Sequence, residues 1–550
     1  EIDGFKPAHR KLLYTMYKMG LLTGTRTKSA NIVGQTMKLN PHGDDAIYET
    51  MVRLTRANEA LLHPLIDSKG NFGKQYSRDM AYAASRYTEA KLDSICNEVF
   101  GEIDRDTVDF MDNYDSTMTE PVLLPTTFPN ILVNPSQGIA VGMASNIASF
   151  NLREVCAATI AYLDDPDCDV MKYMTAPDFS TGASIIYDQG EMRRIYETGR
   201  GSFKMRSSYR FDKKNSLVEI YEIPYTTSIE AIMEKIIELI KAGKLREIND
   251  LRDESDLSGL KITIDVKRNT DPDLLMQKLY RMTPLEDSFG CNFNVLINGR
   301  PQLLGVRGIL EQWVDFRVGC IERGLRFELQ RKKEKLHLLE ALRKILLDID
   351  RAIAIIRKTE EEAMVIPNLM EGFSIDKIQA EFIAEIKLRN LNKEYILKRI
   401  AEIEDLQKAI AEIEDTLKNE KKVKAIIKAD LKRVSSKYGQ DRKTRLIESG
   451  TIEHFDETEM IADYPVRVFF TKEGYLKKIP LTSLRSSGTE QKLKEDDVIL
   501  QEFECANKLD LIVLTNRQNA YKTKLYELPD GKVSVLGEYL PGVLEMEKEE

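Results

Sequence analysis

The chain is 550 residues long, 42% hydrophobic and 31% charged, with a formal net charge of −9 at pH 7. That length holds several domains with sizeable cores, and no run approaches the ~20 apolar residues of a membrane span. The six cysteines (Cys96, Cys156, Cys168, Cys291, Cys320, Cys505) are scattered without a C-x-x-C pair, and the five histidines lack metal-ligand spacing. A reducing cytoplasm, no disulfide framework and no metal site are therefore expected. The acidic total argues superficially against nucleic acid, yet residues 1–90 hold 13 Lys and Arg against 9 Asp and Glu, a local +4. DNA binding needs a basic surface rather than a basic total. No signal peptide is visible, and because the chain starts at Glu1 rather than Met an N-terminal arm is expected to be missing.

Residues 1–127 mix helical periods with Gly, Pro and Asn turns. A helix is predicted to open on Pro7 and run to Tyr17, a second to start near Ser29 with that serine as its cap, and a third to cover Asp44–Arg56. In the third, Ile47, Met51, Val52 and Leu54 leave Asp45 and Glu49 one turn apart on another face. Asp67–Gly73 carries turn chemistry, and short helices before a Gly-rich hairpin suit a helix-turn-helix or winged-helix unit. Residues 128–305 alternate strands (Leu217–Ile223, Lys261–Val266) with an amphipathic helix (Ser228–Ala242), an α+β pattern.

Residues 306–454 are mostly helical. Ile396, Ile400, Ile403, Leu406, Ile410, Ile413 and Leu417 step at an average of 3.5, a coiled-coil seam, and Leu325, Leu329, Leu336, Leu339, Leu346 and Ile349 make a similar one. Pro367 and Gly372 interrupt the region between them, so two antiparallel arms with a small globular head are expected. From 455 to 550 the pattern turns to β. Hairpins are predicted around Glu473-Gly474 and around Asn516–Asn519, followed by an acidic tail, Glu545–Glu550.

Chemistry concentrates near the start, in Asp3-Gly4-Phe5-Lys6-Pro7-Ala8-His9-Arg10-Lys11, Asn40-Pro41-His42-Gly43-Asp44 and Ser85-Arg86-Tyr87-Thr88-Glu89. A phenol, two arginines, a histidine and a lysine suit attack on a phosphodiester. Phenols ionise near pH ~10 and are weak nucleophiles at neutral pH. Nearby cations favour phenolate character and stabilise the charged transition state. Taken alone, each residue has a plainer reading. Most of the 22 tyrosines should pack with a wet or hydrogen-bonded hydroxyl, His42 is a turn histidine, and Arg86 a surface ion-pairing residue.

The order D-G-x-K-P-x-H-R-K, P-H-G-D, G-N-F-G, R-Y-T-E resembles the A subunits of bacterial type IIA topoisomerases, DNA gyrase and topoisomerase IV. Asp106–Asp115, Gly138–Ile147 and Leu251–Asp256 extend the resemblance. It implies an α+β multidomain chain: a winged-helix DNA gate (1–127), a tower (128–305), a long antiparallel coiled coil with a globular exit gate (306–454), and the start of a C-terminal β-pinwheel (455–550). Tyr87 would be the nucleophile, with Arg86, Arg10 and His42 on the scissile phosphate. Lys6, Lys11 and Lys28 would contact DNA, and Ile147 would wedge between base pairs. The implied activity is a transient double-strand break through 5′-phosphotyrosyl links, with strand passage for decatenation and relaxation.

The resemblance further implies a homodimer on double-stranded DNA, joined by a B subunit into a heterotetramer, in the cytoplasm and on the nucleoid. ATP and Mg2+ are expected on the B subunit, with no cofactor on this chain. In the family the positions of Asp45 and Glu49 anchor quinolone drugs. Two residues depart from the family pattern: Ile2 stands where an arginine is usual, and Asp45 where a small hydroxyl residue is usual. Gyrases carry a Q-R-R-G-G-x-G box after a strand ending in P-L-x-x. Here Pro480-Leu481-Thr482-Ser483-Leu484 runs into Arg485–Leu493 without it, which favours topoisomerase IV over the gyrase alternative. A reading from another class is a non-catalytic winged-helix and coiled-coil chromosome scaffold.

Overall fold

Pro7 opens the first helix, α1 (Pro7–Lys18), where a missing N–H costs nothing. Two more follow, α2 (Ser29–Thr36) and α3 (Asp44–Leu54). Asp44 and Asp45 lie in the first turn of α3, where the helix dipole favours acids. Leu12, Leu13 and Met16 of α1, Ile32 of α2, and Ile47 and Met51 of α3 meet in one core. Strands β1 (Thr27–Lys28), β2 (Ile66–Lys69) and β3 (Glu89–Leu92) form an antiparallel sheet in the order β1-β3-β2. Ile66, Ala90 and Leu92 join that core. Ser29 is the first helical residue of α2, and its side chain does not cap the helix. Its hydroxyl instead bonds Thr88, a correction to the expected cap.

The computed structural model describes residues 1–140, 142–451, 461–487 and 490–546. The chain forms two compact units. The first comprises Glu1–Ser208, Glu222–Glu230 and Asp287–Ser449, and the second Tyr209–Tyr221, Ala231–Glu286 and Gly450–Glu550.

In the first unit a short hairpin, β4 (Phe110–Asp112) and β5 (Thr119–Pro121), sets Phe110 edge-on to Tyr14 at 5.9 Å. A second hairpin, β6 (Ser136–Ala140) and β7 (Met143–Ile147), ends a six-stranded sheet. That sheet runs Arg445–Glu448, Ser184–Tyr187, Arg200–Arg206, Glu286–Asn292, β7, β6. Its first pair is parallel, so the chain returns to this sheet after a long helical excursion.

The excursion begins with a 41-residue helix, Val306–Leu346. Trp313, fully buried, ties it to the N-terminal core by donating Nε1–H to Thr126 Oγ1 at 3.1 Å. Lys393–Lys418 and Glu420–Tyr438 run back antiparallel to it, paired through Lys333–Glu414 at 2.6 Å and Arg317–Asp430 at 3.1 Å. Leu339 and Leu342 pack on Ile403 and Leu406. Of the expected seam, Ile403, Leu406, Ile410 and Ile413 are buried, and the side chain of Ile396 lies outside the described ones. Leu325, Leu329 and Leu336 are only partly buried. Helices Ile349–Lys358, Val365–Phe373 and Lys377–Ala384 share a separate small core around Leu369, Ala380 and Ile383.

The second unit carries a four-stranded sheet in the order Ser208–Asp212, Leu217–Glu222, Ile262–Val266, Ile248–Asp253. It also holds helices Ile229–Lys241 and Pro272–Met282. Further along, Pro465–Thr471 and Tyr475–Pro480 form a hairpin turning at Gly474, whose φ of +84° favours glycine. Asp510–Leu514 pairs with Ala520–Lys524 as the second expected hairpin. The stretch after the Pro480 strand starts as a helix, Leu481–Ser487. Gly488 and Thr489 of the segment replacing the glycine-rich box, and 547–550 of the acidic tail, lie outside the described residues. Among the described residues no helix is long and apolar enough to cross a membrane.

Candidate active site

The N-terminal motif is first a structural staple. Asp3 is fully buried, and its carboxylate accepts from Arg10 Nε at 2.8 Å, Arg10 Nη2 at 3.0 Å and the Leu124 N–H at 2.9 Å. Arg10, itself buried, also reaches Glu1 at 2.5 Å and the Phe5 carbonyl at 3.2 Å. Gly4 turns the chain at a φ of +81°, and a Cβ there would meet the Ile131 backbone nitrogen at 2.6 Å, so only glycine fits. Ile2, at the family's arginine position, is buried in the core. The structure therefore corrects the assignment of Arg10 to the scissile phosphate: its buried guanidinium is spent on the buried Asp3 carboxylate and on the half-buried Glu1.

Lys6 remains on the surface and bonds the Gln137 carbonyl at the start of the β6–β7 hairpin. Burial, and then the charge of Arg53, pull its ammonium below the ordinary value. His9 is pushed down to about 3 by burial and then by Lys6, Arg53 and Arg10, so it stays neutral in this basic cluster. Lys11 is tethered internally, to the Leu39 carbonyl at 3.0 Å and to Glu120 at 3.4 Å. Lys28 is exposed and pairs with Glu89 at 3.1 Å, opposite it across the β1–β3 ladder.

Tyr87 sits in the turn leading into β3 and is 66% exposed. The Arg86 guanidinium lies over its ring, 4.8 Å from the centroid. This stacking keeps a cation beside the phenol and leaves the hydroxyl open to solvent. Among the described residues Arg86 has no carboxylate partner.

The turn has firm supports on both sides. The Ser29 N–H donates to the Thr88 carbonyl at 2.9 Å and the Ala30 N–H to the Ser85 carbonyl at 3.1 Å. The Gly-rich loop holds the approach: the Ala83 N–H donates to the Asn71 carbonyl, and Asn71 Nδ2 to the Ala81 carbonyl, both at 3.0 Å. Tyr48, buried on α3, donates its hydroxyl to the Ala83 carbonyl at 2.8 Å.

His42 is exposed in the turn before α3, as are Asp45 and Glu49 on that helix's outer face. The Tyr82 hydroxyl approaches Glu49 at 3.5 Å, and its ring meets Tyr48 edge-on at 5.5 Å. The exposed face of α3 and the tyrosine turn are thus joined through Tyr48 and Tyr82, neither of which the motif pattern singled out.

The hairpin requires a second correction. Ile147 is 4% exposed, at the base of β7 and in the core, and cannot wedge into anything. Ile139, near the hairpin tip, is 87% exposed. It lies in register with Ala144, just before the turn containing Gly142. Both isoleucines belong to the stretch Gly138–Ile147 that carried the resemblance, and counting along a hairpin of unknown register could not separate them.

The residues that the motifs singled out thus include an exposed tyrosine on a pinned turn with an arginine stacked on its ring. The family model for the DNA gyrase/topoisomerase IV A subunit matches residues 1–432. The DNA gyrase A subunit of Halalkalibacterium halodurans is 36% identical over 565 aligned residues, covering all of this chain and 67% of that protein. Those of Mycoplasma genitalium and Staphylococcus aureus are 36% and 34% identical, again over all of this chain and over 66% and 63% of theirs. The chain belongs to the family of DNA gyrase and topoisomerase IV A subunits, the DNA-cleaving and rejoining components of type II topoisomerases. It spans about two thirds of the length of the curated relatives it matches.

Proposed function

We propose that this chain cleaves and rejoins DNA for an ATP-dependent type II topoisomerase, with Tyr87 as nucleophile. The observation that carries this reading is the exposed Tyr87 hydroxyl on a turn fixed from α2 and α3, with Arg86 stacked on its ring. The phenolic oxygen attacks phosphorus, the P–O3′ bond breaks, and the proton lost by the phenol is balanced by the one gained at the ribose 3′ hydroxyl. One ester replaces another, so reversal needs no external energy. Arg86 and His42 stabilise charge on the phosphate, and Lys6 and Lys28 hold the backbone of the duplex. A double-strand break takes two copies of Tyr87, hence a homodimer. ATP and Mg2+ are assigned to a partner B subunit, where Mg2+ supplies further charge stabilisation at the phosphate.

Ile139 takes the wedge role first given to Ile147. An apolar side chain between base steps costs a few kcal/mol of unstacking and is repaid by bent DNA that touches more protein. Ile139→Ala should lower DNA bending, read by end-to-end energy transfer, and slow cleavage by about tenfold while the fold stays intact. Ile147→Ala should instead cost about 2–5 kcal/mol of stability, the usual result of emptying a buried site. Unchanged bending in Ile139→Ala would remove it from the wedge role.

Within the family we favour a relaxing and decatenating enzyme of the topoisomerase IV kind. Arg485–Leu493 holds one arginine, one lysine and a glutamate where gyrases carry a glycine-rich basic box, so it offers little net charge for gripping wrapped DNA. The gyrase reading has its own support, since the relatives named above are gyrase subunits. The full-length protein, with ATP and its B subunit, is expected to relax and decatenate DNA without supercoiling a relaxed circle. ATP-dependent negative supercoils on a two-dimensional gel would decide for gyrase.

A further inference from the structure

Beneath the tyrosine turn runs a chain of three buried hydroxyls. The Tyr48 hydroxyl donates to the Ala83 carbonyl at 2.8 Å and shares a 2.8 Å hydrogen bond with Thr88 Oγ1, which in turn bonds Ser29 Oγ at 2.8 Å. Tyr48 is 6% exposed, and Thr88 and Ser29 are fully buried. Each hydroxyl carries one proton: Thr88 donates to Ser29, and the Tyr48 proton serves the Ala83 carbonyl or Thr88 Oγ1 in turn, so every buried hydroxyl has a partner and its burial is tolerated. Burial pushes the Tyr48 phenol up, so it stays a neutral donor and does not compete as a nucleophile.

The placement is specific. Ala83 and Thr88 flank Ala84–Tyr87, so Tyr48 grips the turn at both ends from one atom. Ser29 continues the link to the first residue of α2, whose N–H also holds the Thr88 carbonyl. A phenylalanine at position 48 would fill the same space beside Phe72 and Tyr82. Only the hydroxyl reaches the turn.

A nucleophile whose ring is exposed is aimed by its backbone. Holding reacting atoms within a near-attack geometry is worth orders of magnitude, and a misplacement of about 1 Å costs about 10²-fold. Side chains locked by buried hydrogen bonds supply such support.

We propose that Tyr48, Thr88 and Ser29 are positioning residues that latch the Ala84–Tyr87 turn in its attacking geometry, so that α3 sets the aim of the nucleophile. This inference rests on Tyr87 being the nucleophile. The test uses the full-length protein with its B subunit, Mg2+ and a labelled duplex, and compares Tyr48→Phe, Thr88→Val and Thr88→Ser with the unaltered chain. Single-turnover cleavage and rejoining, DNA affinity and the melting midpoint are measured for each, at a temperature well below every midpoint.

Tyr48→Phe and Thr88→Val should each slow cleavage and rejoining together by about 10- to 100-fold, with DNA affinity within about twofold. Thr88→Ser, which keeps the hydroxyl, should restore most of the rate. A purely structural role would lower the midpoint and leave the rates at unchanged affinity. Wild-type rates in Tyr48→Phe, or rates that fall only in step with affinity, would overturn the latch. Should Tyr48→Phe fail to fold, the Thr88→Val and Thr88→Ser pair decides by the same criteria. A Tyr87→Phe control is run alongside: if it still forms the covalent adduct, the functional reading fails, whereas a silent control with wild-type Tyr48→Phe sinks the latch alone.

Discussion

A Tyr87→Phe chain, assembled with Mg2+ and its B subunit, is expected to form no covalent DNA adduct and to pass no strands. The loss should be complete, because the phenolic oxygen is the atom that becomes esterified and no neighbouring group can replace it. Tyr82, the next tyrosine upstream, is engaged with Glu49 and Tyr48. DNA affinity should stay within about twofold, since one hydroxyl is removed from a surface where many phosphate contacts share the binding. Equilibrium binding at fixed salt and detergent-trapped cleavage give the two readings. Cleavage complexes in the mutant would remove Tyr87 from the chemistry, and a large loss of affinity would make it an anchor for DNA.

The second large effect separates two arginines that the motif pattern treats alike. Arg10→Ala should destabilise the protein by about 3–5 kcal/mol, because it leaves the fully buried Asp3 carboxylate without its partner. The loss is read as a fall in the denaturation midpoint, with activity falling through the folded fraction. Arg86→Ala should leave the midpoint nearly unchanged and slow cleavage by about 10²–10³, the scale for removing one transition-state donor. An Arg10→Ala chain with an unaltered midpoint and slow cleavage would return that side chain to the phosphate.

The sequence made the outline of this site legible because its strongest signals are local. Pro7 marks a helix start, the four- and three-residue spacing of Ile47, Met51 and Leu54 marks α3, and Arg86-Tyr87 sits in a motif whose neighbours come in order. The misreadings share one cause: burial is decided by tertiary contacts. Arg10 reads as a cation among cations until the turn at Gly4 brings Asp3 beneath it. Ile139 and Ile147 are eight residues apart in one hairpin, and only the pairing of β6 with β7 sends one to the tip and the other to the core. Ser29 looks like a helix cap, but the hydroxyl of Thr88, 59 residues away, claims it. Tyr48 carried no signal, because its hydroxyl matters only where α3 meets the tyrosine turn.

The most direct measurement maps the covalent bond itself. Unaltered protein is trapped on a duplex labelled at the cleaved strand's 3′ end, digested, and the nucleotide-bearing peptide sequenced by mass spectrometry. The expected peptide contains Ser85-Arg86-Tyr87-Thr88 with the nucleotide on the Tyr87 oxygen through its 5′ phosphate. A nucleotide on any other tyrosine, or linkage through a 3′ phosphate, would contradict the assignment of this turn as the cleavage centre.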